Sequence, residues 1–447
     1  MLFDLIHQLK TFHKGGVHPE ENKLSSHAPT ARLPLPKSVT IPIGQHIGAP
    51  AKVVVERGDD VKVGQVIAVH EGFVSANIHS SVSGKVGKID TVMDSTGFKR
   101  LAINIRVKGD DWLETIDRTE SLVTGIHDTP QEIVRKIMEA GVVGQGGAAF
   151  PSHVKLSVPE GKHVDTLIIN GVECEPYLTA DHRIMLEKPD EIMVGTQILM
   201  KALGVEKAII GIENNKKDAI ELLSRTALTY PGITVEALKV QYPQGGEKQL
   251  IEALLGREVP SGGLPVDVGA IVHNVGTTYS VYLAVQKNQP LIERVVTVTG
   301  KSIDHPSNFW VRIGTPVIEL IDAAGGVPED TGKVISGGPM MGKALNDLEV
   351  PIAKATSGIL LIPLLESRRA EVYNCVHCGK CVEVCPMGLE PHYLMVLGKN
   401  KDTAKAGKEH ILDCIECGSC SFVCPSNRPI LDYIRYGKSQ IRKQKTA

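Results

Sequence analysis

The chain has 447 residues, 42% hydrophobic and 4% aromatic, with a formal net charge of −2. A near-neutral chain has no global field to hold nucleic acid or acidic lipid, and its longest apolar stretches, such as Ser357–Leu365, fall far short of the ~20 residues a membrane span needs. The length predicts about three or four domains at ~150 residues each, and the opening segment (Met1–Gly16, with an acid at Asp4) lacks the small-residue cleavage site of a secretory signal.

In chain order, residues 31–108 predict short strands. Val53–Glu56, Val66–His70 and Lys85–Ile89 alternate or cluster β-branched side chains between Gly-Asp punctuation. From Thr129 the period changes: Pro130–Ala140 has helical spacing, an N-cap threonine and Gly141 at its end. A buried strand at Thr166–Ile169 leads to helix Pro189–Leu203, strand Lys207–Ile212, helix Lys216–Thr226 and strand Ile233–Val240. Strands alternating with amphipathic helices predict an open, mostly parallel α/β sheet. Residues 291–365 return to strand-rich text with one short helix, Pro316–Ala324.

Eight of the nine cysteines then stand in two copies of C-x2-C-x2-C-x3-C-P: Cys375, Cys378, Cys381 and Cys385 before Pro386, and Cys414, Cys417, Cys420 and Cys424 before Pro425. Soft thiolates at these spacings bind [4Fe–4S] clusters, and in two-cluster ferredoxins the fourth cysteine of each run ligates the other cluster. The expected ligand sets are therefore Cys375, Cys378, Cys381 and Cys424 for one cluster, and Cys414, Cys417, Cys420 and Cys385 for the second. Zinc sites use two close pairs rather than this triply spaced run, and disulfides do not suit a chain with no secretory signal. Met387-Gly388 and Ser426-Asn427 read as ordinary loop. The basic residues Arg435, Lys438, Arg442, Lys443 and Lys445 read as a solvated tail. The odd cysteine, Cys174, reads as a small buried thiol.

One further motif carries chemistry. Gly144-Gln145-Gly146-Gly147-Ala148-Ala149-Phe150-Pro151 lies between a helix and the first strand of the α/β unit, with Lys155 just beyond. Glycines let backbone N–H groups close on an anion, and such nests bind phosphate. The spacing differs from the dinucleotide fingerprint G-x-G-x-x-G.

This loop resembles the flavin loop of the NADH-oxidising flavoprotein subunit of respiratory complex I. The resemblance continues through Asn170-Gly171-Val172-Glu173-Cys174-Glu175-Pro176, Asp181–Pro189, Tyr242–Leu250 and His273–Thr277. It implies Gly144, Gly146, Gly147, Lys155, Asn170, Glu173, Glu175, Tyr242, Glu247, Asn274 and Thr277 near FMN. It places Phe150 and Glu175 near the nicotinamide of NAD(H), as the catalytic pair. Three positions depart from that family's pattern: Gln145 replaces an arginine, and Val172 and Gly246 replace acids. These departures imply a different flavin potential and a different nicotinamide affinity.

Upstream, Gly58–Ala68 and Ser80–Ile89 resemble the biotinyl/lipoyl type of barrel-sandwich domain, but His70–His79 holds no lysine for a tethered carrier group. The whole order resembles the C subunit of the Rnf complex, the membrane-bound ferredoxin:NAD+ oxidoreductase, as does the opening Phe12–Pro19. The A subunit of the sodium-pumping NADH:quinone reductase shares the frame but lacks the cluster cysteines.

The resemblance implies a multidomain α/β and α+β chain. Its units are a barrel-sandwich domain over 1–125, an FMN/NADH domain over 126–290, a β-grasp domain of the soluble-ligand-binding type over 291–366, and a helical two-cluster ferredoxin-like segment with a basic tail over 367–447. It implies two [4Fe–4S] clusters, FMN, NAD(H) as substrate, ferredoxin as an indirect partner, and other subunits of a redox complex at the cytoplasmic face of the membrane. The alternative is a non-catalytic relay and docking subunit with a vestigial flavin pocket.

Overall fold

The computed structural model describes residues 9–446; Asp4 and the Lys445 side chain lie outside what is described. Two β-layers form the first unit. One has strand order Asp60–Val61, Gly84–Met93, Lys99–Val107, Ser38–Pro42, and the other joins Lys52–Val53, Val66–Val69 and Ile78–His79. Val39, Ile41, Ile67, Ile78, Val86, Ile103 and Ile105 fill the space between them. The expected strand Val53–Glu56 shortens to Lys52–Val53, although the Val54 N–H still reaches the Ile67 carbonyl at 3.0 Å.

The second unit is a four-stranded, all-parallel sheet in the order Ile233–Leu238, Ala208–Glu213, Thr166–Asn170, Ala270–Asn274. Side chains alternate across a strand. Leu167 and Ile169 therefore face helices Pro130–Glu139, Pro189–Leu203, Lys217–Ala227 and Val275–Gln286. Ile168 faces helix Glu247–Leu255 on the other side. Thr129 caps its helix through a reciprocal bond pattern with Glu132. The chain adds two strands on one side of Thr166–Asn170, then crosses back to place Ala270–Asn274 on the other. The crevice outside the carboxyl ends at such a reversal is where open α/β sheets hold ligands.

A six-stranded mixed sheet follows, with helix Val317–Ala323 packed on it. Its outer strand is Ala31–Arg32, which pairs parallel with Phe309–Trp310. The last unit is helical: Lys380–Glu383, Pro391–Lys399, Thr403–Lys408, Ser419–Phe422 and Ile430–Thr446. No helix among the described residues is long and apolar enough to cross a membrane.

Residues before the first β-layer do not join it. They run as a strap over the other three units. Val17 pairs with Tyr242, the Gly16 N–H donates to the Val384 carbonyl at 3.0 Å, and Lys23 reaches the 173–178 turn.

In the helical unit, a Cβ on Gly398 would collide with the Tyr433 carbonyl of the crossing helix, while one on Gly407 would meet nothing within 4 Å. Gly398→Ala is therefore expected to cost about 1–3 kcal/mol through overpacking. The check is its urea midpoint by circular dichroism against Gly407→Ala, which should not fall.

Candidate functional site

The glycine loop, Asn170 and Asn274 meet at the crevice where the sheet order reverses. Asn170 and Asn274 end neighbouring strands in register, and Gly146 approaches the Asn274 side chain. The loop is pinched shut by the Gly144 N–H to the Phe150 carbonyl at 2.9 Å, with half-buried Phe150 at its foot. Gly147 has φ +107°, and a Cβ there would meet nothing within 4 Å. The N–H groups of Gly146, Gly147 and Ala148 donate to no protein acceptor among the described residues, and all three residues are exposed. Free, consecutive amides around a left-handed glycine fit a phosphate.

Lys155 sits beside this nest. Its Nζ donates to Glu247 Oε1 at 2.5 Å and to the Val272 carbonyl at 2.9 Å, and both side chains of the pair remain partly accessible. Asn170 Nδ2 donates to the Gly245 carbonyl at 2.9 Å. Asn274 caps helix Val275–Gln286 by accepting from the Thr277 N–H at 3.2 Å, and its Nδ2 donates to Asp181 Oδ2 at 2.6 Å. Glu173 accepts from the N–H groups of Asp181 and His182 at 2.8 and 3.1 Å.

Two expected ligands turn elsewhere. The Glu175 carboxylate accepts from the N–H groups of Met340 and Met341 at 3.2 and 2.7 Å, on a loop of the six-stranded sheet unit. Burial lifts its pKa to about 7 against those bonds. The Tyr242 hydroxyl donates to the Cys417 carbonyl at 2.7 Å, across the seam to the helical unit.

Of the three departures from the family pattern, the one at Gln145 is met by its surroundings. Gln145 is buried: its N–H donates to Thr277 Oγ1 at 2.9 Å and its amide to the Gly276 carbonyl and Ser280 Oγ at 3.0 and 2.6 Å. A cation still stands behind the loop, because buried Arg294 donates to the Gln145 carbonyl at 3.3 Å. A carboxyl also remains in the crevice at Asp181. Burial, then the neighbouring Glu173 charge, raise its pKa to about 7. Sequence reading quoted the Asp181–Pro189 segment without singling out Asp181 as a site residue, and it missed Arg294, which lies outside every quoted segment. Cys174 is a half-buried thiol that accepts from the Gly245 N–H at 3.3 Å, and burial pushes its pKa far up.

The eight remaining cysteines line two separate cavities. Cys385, Cys414, Cys417 and Cys420 surround one, walled by Pro386, Leu394, Leu431 and Ile434. Cys375, Cys378, Cys381 and Cys424 surround another, also lined by His377, Lys380, His392 and Arg428. Each cavity thus gathers three cysteines of one run and the last of the other. The two runs also repeat in backbone: His377 and Glu416 have φ +54° and +59°, and Gly388 and Asn427 have +63° and +49°. Among the described residues no three His, Cys, Asp or Glu side chains converge to hold a single ion. Thiols ringed around a cavity suit a polynuclear cluster.

The quartets differ in depth. Cys385, Cys417 and Cys420 are buried, whereas Cys378 is exposed and its neighbour Val376 is 65% exposed. The inner cavity faces the α/β unit, where Gln249 Nε2 donates to the Pro386 carbonyl at 3.4 Å. Just past the first of the turns that follow the prolines, the Leu389 N–H donates to Cys385 Sγ at 3.4 Å.

The solvated-tail expectation is corrected at two residues. Lys438 is 4% exposed and donates to the Cys414 carbonyl at 2.7 Å and to Glu416 at 2.7 Å. Arg435 pairs with Glu416 at 3.1 Å. The helix Ile430–Thr446 turns them inward, because Ile430, Ile434 and Ile441 on the same helix join the core.

Family models match along the chain in this order: the RnfC barrel sandwich hybrid domain at 10–110, the Nuo51 FMN-binding domain at 137–283, the SLBB domain at 295–344, and a 4Fe-4S dicluster domain at 374–428. A Clostridium ljungdahlii protein, the C subunit of a proton-translocating ferredoxin:NAD(+) oxidoreductase complex, is 49% identical over 97% of this chain and 94% of its own length. The chain belongs to the C-subunit family of Rnf-type ion-translocating oxidoreductase complexes. Another member of the family, the C subunit of the Na(+)-translocating ferredoxin:NAD(+) oxidoreductase complex of Acetobacterium woodii, is 43% identical over 96% of each chain. The C subunit of the Rhodobacter capsulatus ion-translocating oxidoreductase complex is 42% identical over 98% of this chain and 85% of its own.

Two outcomes follow from the site. Cys385→Ala should remove the inner cluster and spare the outer one, and Cys424→Ala should do the reverse. Iron content and electron paramagnetic resonance of the two variants check this, and loss of the outer signal in Cys385→Ala would contradict the pairing. Separately, a raised folded-state pKa at Asp181 means that the folded chain holds this proton more tightly than the unfolded one. Its contribution to stability is present below the unfolded value of 3.8 and is lost as pH rises to about 7. Asp181→Asn keeps an acceptor for Asn274 and removes that slope. Its urea midpoint relative to the parent should therefore rise across this window and then level.

Proposed function

We propose that this chain is the NAD(H)-reacting, FMN- and iron–sulfur-containing electron-transfer subunit of a membrane-bound ferredoxin:NAD+ oxidoreductase whose electron flow drives Na+ or H+ translocation. The observation that carries the proposal is the union, in one chain, of an amide nest at the sheet reversal and two cysteine quartets, the inner of which is docked on the same unit. FMN, when bound, supplies the interchange between a hydride and single electrons, and the clusters carry single electrons.

The chain's own residues supply binding and enclosure. The Gly146–Ala148 amides and Lys155 hold the phosphate, and Glu247 keeps the lysine aimed at the nest. Asn170, Asn274, Thr277 and Glu173 build the floor under the flavin ring. Phe150 offers an aromatic face to the nicotinamide. Glu175 shapes the same wall by fixing the Met340–Met341 loop. The inner quartet is the centre next to the flavin. The outer quartet, with exposed Cys378, exchanges electrons with the rest of the complex at the cytoplasmic face. On this reading the units run 1–125, 126–290, 291–366 (a β-grasp) and 367–447.

The test is anaerobic. The full chain, with clusters and FMN incorporated, is mixed with NADH and its visible spectrum recorded. The flavin band should bleach first and the cluster band after it. Lys155→Ala should retain iron and lose most of its FMN. Intact clusters with no FMN binding and no response to NADH would replace this reading by that of a relay and docking subunit.

A further inference from the structure

Tyr242 lies between the two redox sites and belongs to neither cavity of cysteines. It is 3% exposed. Its backbone is fixed by Val17 of the strap, with N–H···O bonds of 2.8 and 2.9 Å in the two directions. It packs with Val17 and Cys417, and Cys174, Met340, Val384 and Ile415 close the same apolar seam. One hydrogen-bonded route crosses this seam. Asn170 Nδ2, at the crevice, donates to the Gly245 carbonyl at 2.9 Å. The backbone runs back through Gln244 and Pro243 to Tyr242, whose hydroxyl donates to the Cys417 carbonyl at 2.7 Å.

We propose that Tyr242 is the positioning residue for electron transfer between the flavin crevice and the inner cluster. It fixes the separation of the two centres, and its hydroxyl dipole, directed at a ligand residue's carbonyl, sets the inner cluster's potential. This rests on the functional reading above, in which the crevice holds flavin and the quartets hold clusters. In the step itself no bond forms or breaks. One electron leaves the flavin and one arrives at the inner cluster, while the tyrosine is neither oxidised nor deprotonated. Burial raises the phenol pKa, so the hydroxyl remains a donor throughout the working range. A donor pointed at a cluster's surroundings favours the more negative, reduced state, and hydrogen bonding around the sulfurs is one of the levers on cluster potential.

The experiment uses the full chain with both clusters and FMN in place. In Tyr242→Phe, iron and flavin contents should match the parent, and NADH should bleach the flavin at the parent rate. Reduction of the inner cluster should then slow about fivefold, the equilibrium worth of one net hydrogen bond. The inner cluster's midpoint potential should move negative while the outer cluster's stays. With 2,3-difluorotyrosine at position 242, a stronger donor of nearly the same shape, the inner potential should move the other way. This second variant decides the matter if Tyr242→Phe loads less iron. Unchanged potentials and rates in both would overturn the proposal. So would loss of flavin with clusters intact, which would return Tyr242 to the flavin-contact role that the resemblance implies. Parent contents without flavin or iron would count against the underlying functional reading instead.

Discussion

Lys23 holds the centre of this molecule together. Its ammonium donates to the carbonyls of Glu173, Glu175 and Leu178 at 2.9, 2.9 and 2.7 Å, so its three donors have three acceptors. Desolvation lowers its pKa to about 8, a cost those bonds offset. The turn it binds is strained, with φ +46° at Glu173 and +70° at Tyr177, and such angles persist only where neighbours over-determine them. From that turn Glu173 caps one helix, Cys174 touches the Tyr242 loop and Glu175 grips the sheet unit. The strap, the α/β unit and the six-stranded sheet unit are therefore tied together at a single, half-buried cation.

Electrostatics repeat this pattern around the cysteine quartets. The inner quartet is enclosed by apolar walls, yet Lys438 and Arg435 converge on Glu416 beside Cys414. Buried charges are tolerable only when paired and hydrogen-bonded, and here each is. The outer quartet carries its basic groups at an open rim. The same eight-cysteine repeat thus yields two quartets in different dielectric surroundings, and burial is one of the levers on the potential of any cluster held there.

Much of this was legible in the sequence, because it depended on local spacing. The cysteine runs predicted the two quartets, including the exchange of Cys385 and Cys424. Hydrophobic period and the Thr129 cap gave helices at Pro130 and Pro189 within a residue or so. What stayed hidden depended on contacts between residues far apart in the chain. Nothing in the tail's composition shows that Lys438 folds back on Cys414. Nothing in the Tyr242 segment shows that its hydroxyl leaves the crevice for the helical unit. The loss of the loop arginine read as missing charge, whereas Arg294, 149 residues on, supplies a cation from another sheet. Helix Glu247–Leu255 was overlooked because the Gly-Gly before it reads as loop.

The strap also imposes an order on biogenesis. Residues 16–17 leave the ribosome well before their partners at Tyr242 and Val384. The seam beside the inner quartet can close only once Val384 has been made. Until then the quartet is open on that side. Closure afterwards covers the Cys417 side of the quartet with the chain's own strap.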